Sequence, residues 1–404
     1  MLPPPEEIEE SLWRDLLDPW FPACIDPAGG YRQQFGPAFE PMGDGVRNLV
    51  FQSRMIWVCA SVASIRPKFA DYARHGVRFL KERMDGGLTW SLDAEGEPRT
   101  AERHAYGIAF AIYGLAAAAR HLGDPEALAM AVRAHDYLAA AHADPKNGGY
   151  FEVSDTEGRA KLSGDGVDAI GTPYGQKSQN THLHLVEAFS ELYRAHPDPS
   201  VAANLQRMLQ IFTGELFDPS GHLHLFAQPD WTPASTDISY GHDIEAAHLI
   251  LDAADALGVQ DVRIDHCTRA LADHTLAHGW DKEFGGIFYS GTAEGPIRGS
   301  KNWWAQAESL LGFTTLWSRT GDPRYEQALA KQWAFIRDHQ IDPGCGWHEE
   351  VERDGTPRLG LKGHGWKAAY HDGRALLFTA RILRANDCRQ WPTMAHGGPD
   401  SEPS

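Results

Sequence analysis

The stretch Asp144-Pro-Lys-Asn-Gly-Gly-Tyr-Phe151 joins an aspartate, a turn and two glycines to a pair of β-favouring aromatics. It returns five more times in altered form. The counterparts are Asp26-Pro-Ala-Gly-Gly-Tyr31, Asp85-Gly-Gly-Leu-Thr-Trp90, Asp218-Pro-Ser-Gly-His-Leu-His-Leu-Phe226, Asp281-Lys-Glu-Phe-Gly-Gly-Ile-Phe-Tyr289 and Asp342-Pro-Gly-Cys-Gly-Trp347. Successive aspartates stand 59, 59, 74, 63 and 61 residues apart, so the chain is a sixfold repeat.

Between marks lie two segments whose apolar residues return every three or four positions, the period of a helix with one buried face. They cover 46–63 and 69–83, 101–122 and 125–142, 180–195 and 201–216, 242–257 and 262–278, and 303–320 and 325–339. One helix over 6–17 and another over 370–385 complete twelve. Several second members open at a Gly-Asp-Pro break, as in Leu122-Gly-Asp-Pro125 and Thr320-Gly-Asp-Pro323, where a helix stop meets a helix start. No polar capping repeat is evident, so six helical hairpins favour a closed toroid over an open solenoid. The reading is an all-α (α/α)6 barrel with short β-hairpins at one rim, such as 149–154 turning at 155–158. It forms one domain over 1–390, followed by a flexible tail over 391–404.

The composition agrees with one large soluble core: 42% of residues are hydrophobic and 23% charged. A formal net charge of −18 disfavours a nucleic-acid partner, which calls for a basic face. No apolar run is long enough to span a membrane. The five cysteines lack CxxC spacing, and the start, Met-Leu-Pro-Pro-Pro followed by Glu6, Glu7, Glu9 and Glu10, lacks a secretory pattern. A cytoplasmic protein with reduced thiols is the expectation.

The chemically capable residues keep step with the repeat. Arg54, Tyr106, His182 and His184, His242, Trp303 and Trp304, and Trp366 with His371 follow their marks by 21 to 40 residues. If the repeat is structural, they meet at one end of the barrel. His184 and His242 each have a glutamate three residues on, Glu187 and Glu245, on the same helix face. Such a carboxylate can hold an imidazole in one tautomer and raise its basicity, although a lone pair of this kind is more often a plain ion pair. Metal binding at His182-x-His184 is disfavoured, because this spacing on a helix splays the rings about 200° apart. Thirteen tryptophans supply core, and those beside glycine-rich loops also make an aromatic platform of the kind that stacks on sugars. The long loops 155–179, 227–240, 290–302 and 353–367 are expected to roof the site.

Four strings, Lys177-Ser-Gln-Asn-Thr-His-Leu-His-Leu-Val-Glu-Ala188, Ser239-Tyr-Gly-His-Asp-Ile-Glu-Ala246, Trp303-Trp-Ala-Gln-Ala-Glu308 and Trp366-Lys-Ala-Ala-Tyr-His371, resemble the N-acylglucosamine 2-epimerase superfamily, nearest its cellobiose 2-epimerase-like branch. Arg54 in Gln52-Ser-Arg-Met-Ile-Trp57 and Tyr106 in His104-Ala-Tyr-Gly-Ile-Ala-Phe110 extend the likeness. The resemblance implies inversion at C2 of a reducing aldose through a cis-enediolate, without metal or other cofactor. It implies that His242 and His371 exchange the C2 proton, that Glu245 orients His242, that Arg54 holds the developing oxyanion and that His184 aids ring opening. Tyr106, Asn180, Trp303, Trp304, Glu308 and Trp366 would bind the sugar. The expected partner is a small sugar, with neither nucleic acid nor membrane, and the expected protein is a monomer or homodimer. The alternatives are an aldose–ketose isomerase acting on mannose-like sugars, a non-catalytic sugar-binding protein, and a glycoside hydrolase or lyase. A hydrolase would need paired carboxylates at the mouth, for which Asp243 and Glu308 are the candidates.

Overall fold

Most of the long helices begin where a side chain can accept a free backbone N–H. In a computed structural model that describes residues 2–43 and 45–390, the segments are α1 (Pro5–Ser11), α2 (Leu49–Val62), α3 (Lys68–Arg83), α4 (Ala105–Leu122), α5 (Pro125–Ala141) and α6 (Gln179–Ala195). They continue as α7 (Pro199–Thr213), α8 (Tyr240–Leu257), α9 (Val262–His274), α10 (Trp303–Thr320), α11 (Pro323–Phe335) and α12 (His371–Gln390). Wider π-helical turns prolong α1, α9 and α11 through Leu12–Leu17, Thr275–Gly279 and Ile336–Gln340. The tail expected over 391–404 lies outside the described residues.

Asn48, His104, Ser178, Ser239 and Asn302 cap α2, α4, α6, α8 and α10, which is why α2 and α4 start later than periodicity suggests. Asp124, Asp198 and Asp322 cap α5, α7 and α11 just before a proline, and Gly123, Gly258 and Gly321 end α4, α8 and α10 in the left-handed region. These are the stop-and-start signals of the sequence.

The even-numbered helices form an inner ring and the odd-numbered ones an outer ring. Every residue of α2 is buried, as expected for a helix apolar nearly all round. Each inner helix packs on the next, and α12 returns to α2 where Trp57 meets Tyr370 and Phe378 at ring-centre distances of 5.7 and 6.1 Å. The structure is an (α/α)6 barrel.

The β pairing differs from local hairpins. The turn at 155–158 does form, with Ser154 bridged to Ala160. The main ladders, however, run between neighbouring repeats: the residues before an inner helix pair antiparallel with those following the next mark. Arg47–Asn48 joins Ser91–Leu92, Arg103–His104 joins Val153–Ser154, Lys177–Ser178 joins Phe226–Ala227, and Lys301–Asn302 joins Glu350–Val351. Single bridges Ile238 to Gly291 and Phe35 to Gly363 finish the circle. Backbone groups at the rim thus find partners only when the ring closes.

Side chains explain why the mark is conserved along the chain. In five of the six marks the aspartate meets a cation before an inner helix: Asp26 meets Arg47, Asp85 meets Arg103 (2.8 Å), Asp144 meets Lys177 (2.7 Å), Asp281 meets Lys301 (3.1 Å) and Asp342 meets Lys362 (2.7 Å). In α2, α6, α8 and α10 the fourth residue then accepts a backbone N–H from the mark. Gln52 takes Tyr31 N (2.7 Å), His182 takes Tyr150 N (3.0 Å), Asp243 takes Leu223 N (3.1 Å) and Gln306 takes Ile287 N (2.9 Å). The approach demands glycine: at Gly149, with φ of 74°, a Cβ would lie 2.8 Å from His182 Nε2.

Candidate active site

A cavity of about 310 Å3 opens at the end of the barrel where the inner helices begin. It draws Arg54 from α2, Tyr106 from α4, Asn180 and His184 from α6, His242 from α8, and Trp303 and Trp304 from α10. His371 opens α12, and Trp366 lies five residues before it. The residues that keep step with their marks, His182 excepted, therefore meet. Ala169 and Ile170 from the loop 155–179 and Tyr289 beside the loop 290–302 also line it, whereas the loop 227–240 does not. Six helix N-termini surround the cavity, each bringing partial positive charge to its rim.

His242 and His371 flank Trp304, with ring centres 4.8 and 5.6 Å from it. Burial lowers both imidazoles to about 3, so both are neutral near pH 7. Arg54 is buried over the rings of Phe110 and Tyr370, at 4.3 and 4.9 Å. Its Nη1 donates to Trp366 O (2.8 Å) and its Nη2 to Tyr106 Oη (3.1 Å). One fixed cation thus ties the tryptophan loop to α4.

Below the cavity floor, one guanidinium gathers three carboxylates. Arg374 Nη1 pairs with Glu187, and Nη2 lies 2.5 Å from Glu245 and 2.7 Å from Glu308. Burial works to raise both, but Arg374 together with the histidine hydrogen bonds outweighs it, so Glu187 falls to about 2 and Glu308 well below the usual range. Burial and the Glu308 charge push Glu245 well up. His184 Nδ1 donates to Glu187 Oε2 (3.0 Å), and His371 Nδ1 to Glu308 Oε1 (2.6 Å). With Nδ1–H fixed in this way, Nε2 of each ring is the free base.

Two sequence expectations need correction. Glu245 does not orient His242: it is drawn across the barrel axis to Arg374, and His242 Nδ1 has no hydrogen-bond partner among the described residues. Glu308 does not line the cavity; it is fully buried beneath His371 and holds that ring. His184 and Glu187 do pair as their spacing suggests. His182 turns away from the cavity and bridges Ser178 O and Tyr150 N, as the splay of the His-x-His spacing requires. Arg374 joins the site without a sequence motif of its own; its one signal is that it follows His371 by three, the same spacing as the two His–Glu pairs.

Among the described residues, two buried clusters bring metal-ligand types together, His104–Glu152–Asp168 and Glu245–Glu308–His371. The first does not offer an imidazole lone pair: His104 Nδ1 accepts Tyr106 N–H, so Nε2 carries the proton and faces Asp168 Oδ2 at 3.1 Å. In the second, the Arg374 cation already occupies the carboxylates. A larger cavity of about 650 Å3 opens at the other end of the barrel. Its charged side chains are mostly paired with each other, as in Arg120–Glu191 and Arg194–Asp252. The convergent imidazoles and tryptophans belong to the smaller one.

Residues 29–375 match the N-acylglucosamine 2-epimerase (GlcNAc 2-epimerase) family. A cellobiose 2-epimerase from Bacteroides fragilis is 31% identical over 383 residues, spanning 91% of this chain and 96% of its own. A D-mannose isomerase from Marinomonas mediterranea is 26% identical over 378 residues, 87% of this chain and 91% of its own. The solved structure of the cellobiose 2-epimerase from Spirochaeta thermophila, 30% identical, gives a TM-score of 0.84 and covers 95% of this chain and 97% of that one. The match spans every residue that lines the cavity, from Arg54 to His371, and the chain belongs to the N-acylglucosamine 2-epimerase family.

Proposed function

We propose that this protein is an isomerase that inverts C2 of a reducing aldose. The observation that carries the reading is the pair of imidazoles, His242 and His371, flanking one tryptophan in a cavity that also holds Arg54. In the open-chain sugar, His371 Nε2 takes the C2 proton, and the C–H electron pair moves toward C1 and its oxygen. Arg54 meets the charge that develops there, in a site walled by aromatic rings. The enediolate next to His242 draws a solvent proton onto that ring, which delivers it to the other face of C2, while His371 releases its proton to solvent. Starting from the epimer, the two rings exchange roles. The cavity volume lies at the lower end of the roughly 300–1,000 Å3 of small-molecule sites. One sugar ring fills it, and the second unit of a disaccharide such as cellobiose lies toward the half-exposed Trp366.

The D-mannose isomerase relative favours a second reading, transfer of the proton from C2 to C1 on one face, which needs a single base. A glycosidase reading finds no support, since no carboxylate lines the cavity among the described residues: Asp243 is spent on Leu223 N and Glu308 on His371. The test is incubation with cellobiose, glucose and mannose in deuterated water. The expected product is the C2 epimer carrying deuterium at C2. Ketose as sole product would replace epimerase by isomerase, and no change in any sugar would overturn both.

A further inference from the structure

Glu308 is held from two sides. Its Oε1 accepts His371 Nδ1 at 2.6 Å, and its Oε2 accepts His248 Nε2 at 2.7 Å. His248 stands on α8, six residues after His242, yet it lines the rear cavity and not the sugar cavity. It cannot touch a sugar bound beside His242. It does touch the carboxylate that fixes the proposed base.

The chemistry of that contact is directional. Ionised Glu308 makes both ring nitrogens facing it donors, so the neutral His248 carries its proton on Nε2. Each donor that a carboxylate accepts lowers its own affinity for a proton. The charged or titratable groups around Glu308 are Arg374, His371 and Asp372 from α12, and His242, Glu245 and His248 from α8. Around His371 stand Glu308, Glu245 at 3.8 Å, Arg374 and the Arg54 cation of α2. Around His248 are Glu308, Arg374 and Asp252. Arg374 is shared among three carboxylates, whereas His248 gives its single N–H to Glu308.

We propose that His248 is a positioning residue for His371: from the rear cavity it anchors the second oxygen of Glu308, keeps the first on His371 Nδ1, and tunes the basicity of that ring. This rests on His371 being a C2 base. Without the donor, Glu308 would pull harder on the His371 proton and stabilise the imidazolium. The free-base form would then appear only at higher pH.

The test compares His248→Phe, which keeps an aromatic ring without a donor, with His248→Gln, whose amide can still donate to Glu308. In His248→Phe the acid limb of kcat/KM against pH is expected to move up by about one unit, a tenfold loss on that limb. KM should stay within about twofold, and His248→Gln should bring the limb back. Nitrogen NMR titration of the His371 ring in the sugar-free protein should show the same displacement. An undisplaced His371 titration in His248→Phe, or a Gln variant that behaves like Phe, overturns the proposal. If the Phe variant does not fold, His248→Asn, whose shorter amide falls short of Glu308, takes its place in the same measurements. A wild-type protein that turns over no sugar would overturn the epimerase reading alone, because the NMR titration still decides whether His248 controls His371.

Discussion

At the scale of the residue, the site depends on which protons are fixed and which are free. His371 and His184 are each held through Nδ1, whereas the His242 ring packs on Trp304 and its Nδ1 has no hydrogen-bond partner among the described residues. His371→Asn should cut kcat/KM by about 10²–10⁴, the usual contribution of a positioned base, with the fold intact by circular dichroism. Arg54→Lys keeps the charge but loses the fork that holds Trp366 O and Tyr106 Oη together. A fall of about 10²-fold in kcat is expected, and unchanged kcat would refute the role of Arg54 at the oxyanion. Arg374→Met leaves Glu187 and Glu308 buried without their cation. A loss of about 3–5 kcal/mol in urea unfolding should follow, and a loss below about 1 kcal/mol would show that the carboxylates re-pair or protonate at little cost.

At the scale of the element, each mark works as a latch between its turn and an inner helix. Gln306 illustrates it: Oε1 accepts Ile287 N (2.9 Å) and Nε2 donates to Ile287 O (2.8 Å), both in buried surroundings. Gln306→Leu strands one buried N–H and one buried C=O, each costing about 1–3 kcal/mol. The expected result is destabilisation of at least about 2 kcal/mol. Hydrogen exchange should localise the loosening to the mark at 281–289. The latch also explains what periodicity could not: Gln52, Asp243 and Gln306 are fully buried polar residues of inner helices, and they face turns distant in sequence. The same logic makes His182 structural and His184 a site residue, two positions apart on one helix.

At the scale of the whole molecule, buried neutral histidines tie stability to pH. His142 is lowered to about 4 and His182, His242 and His371 to about 3, in each case chiefly by burial. Unfolded, these rings take up protons near pH 6.5, whereas folded they stay neutral until pH 3–4. The unfolded state therefore binds more protons in that window, and stability falls as pH drops from about 6.5 toward 4. The melting temperature should decline steadily across this range, and a flat profile would show that the rings are protonated in the native fold. The sequence by itself determined the sixfold repeat, the twelve helices and the end of the barrel where His184, His242 and His371 gather, because period, caps and glycine turns are local. Tertiary structure decided which carboxylate serves which imidazole. A helix fixes only a direction for each side chain, and the pull of Arg374 across the barrel axis sends Glu245 away from His242 and sets Glu308 beneath His371.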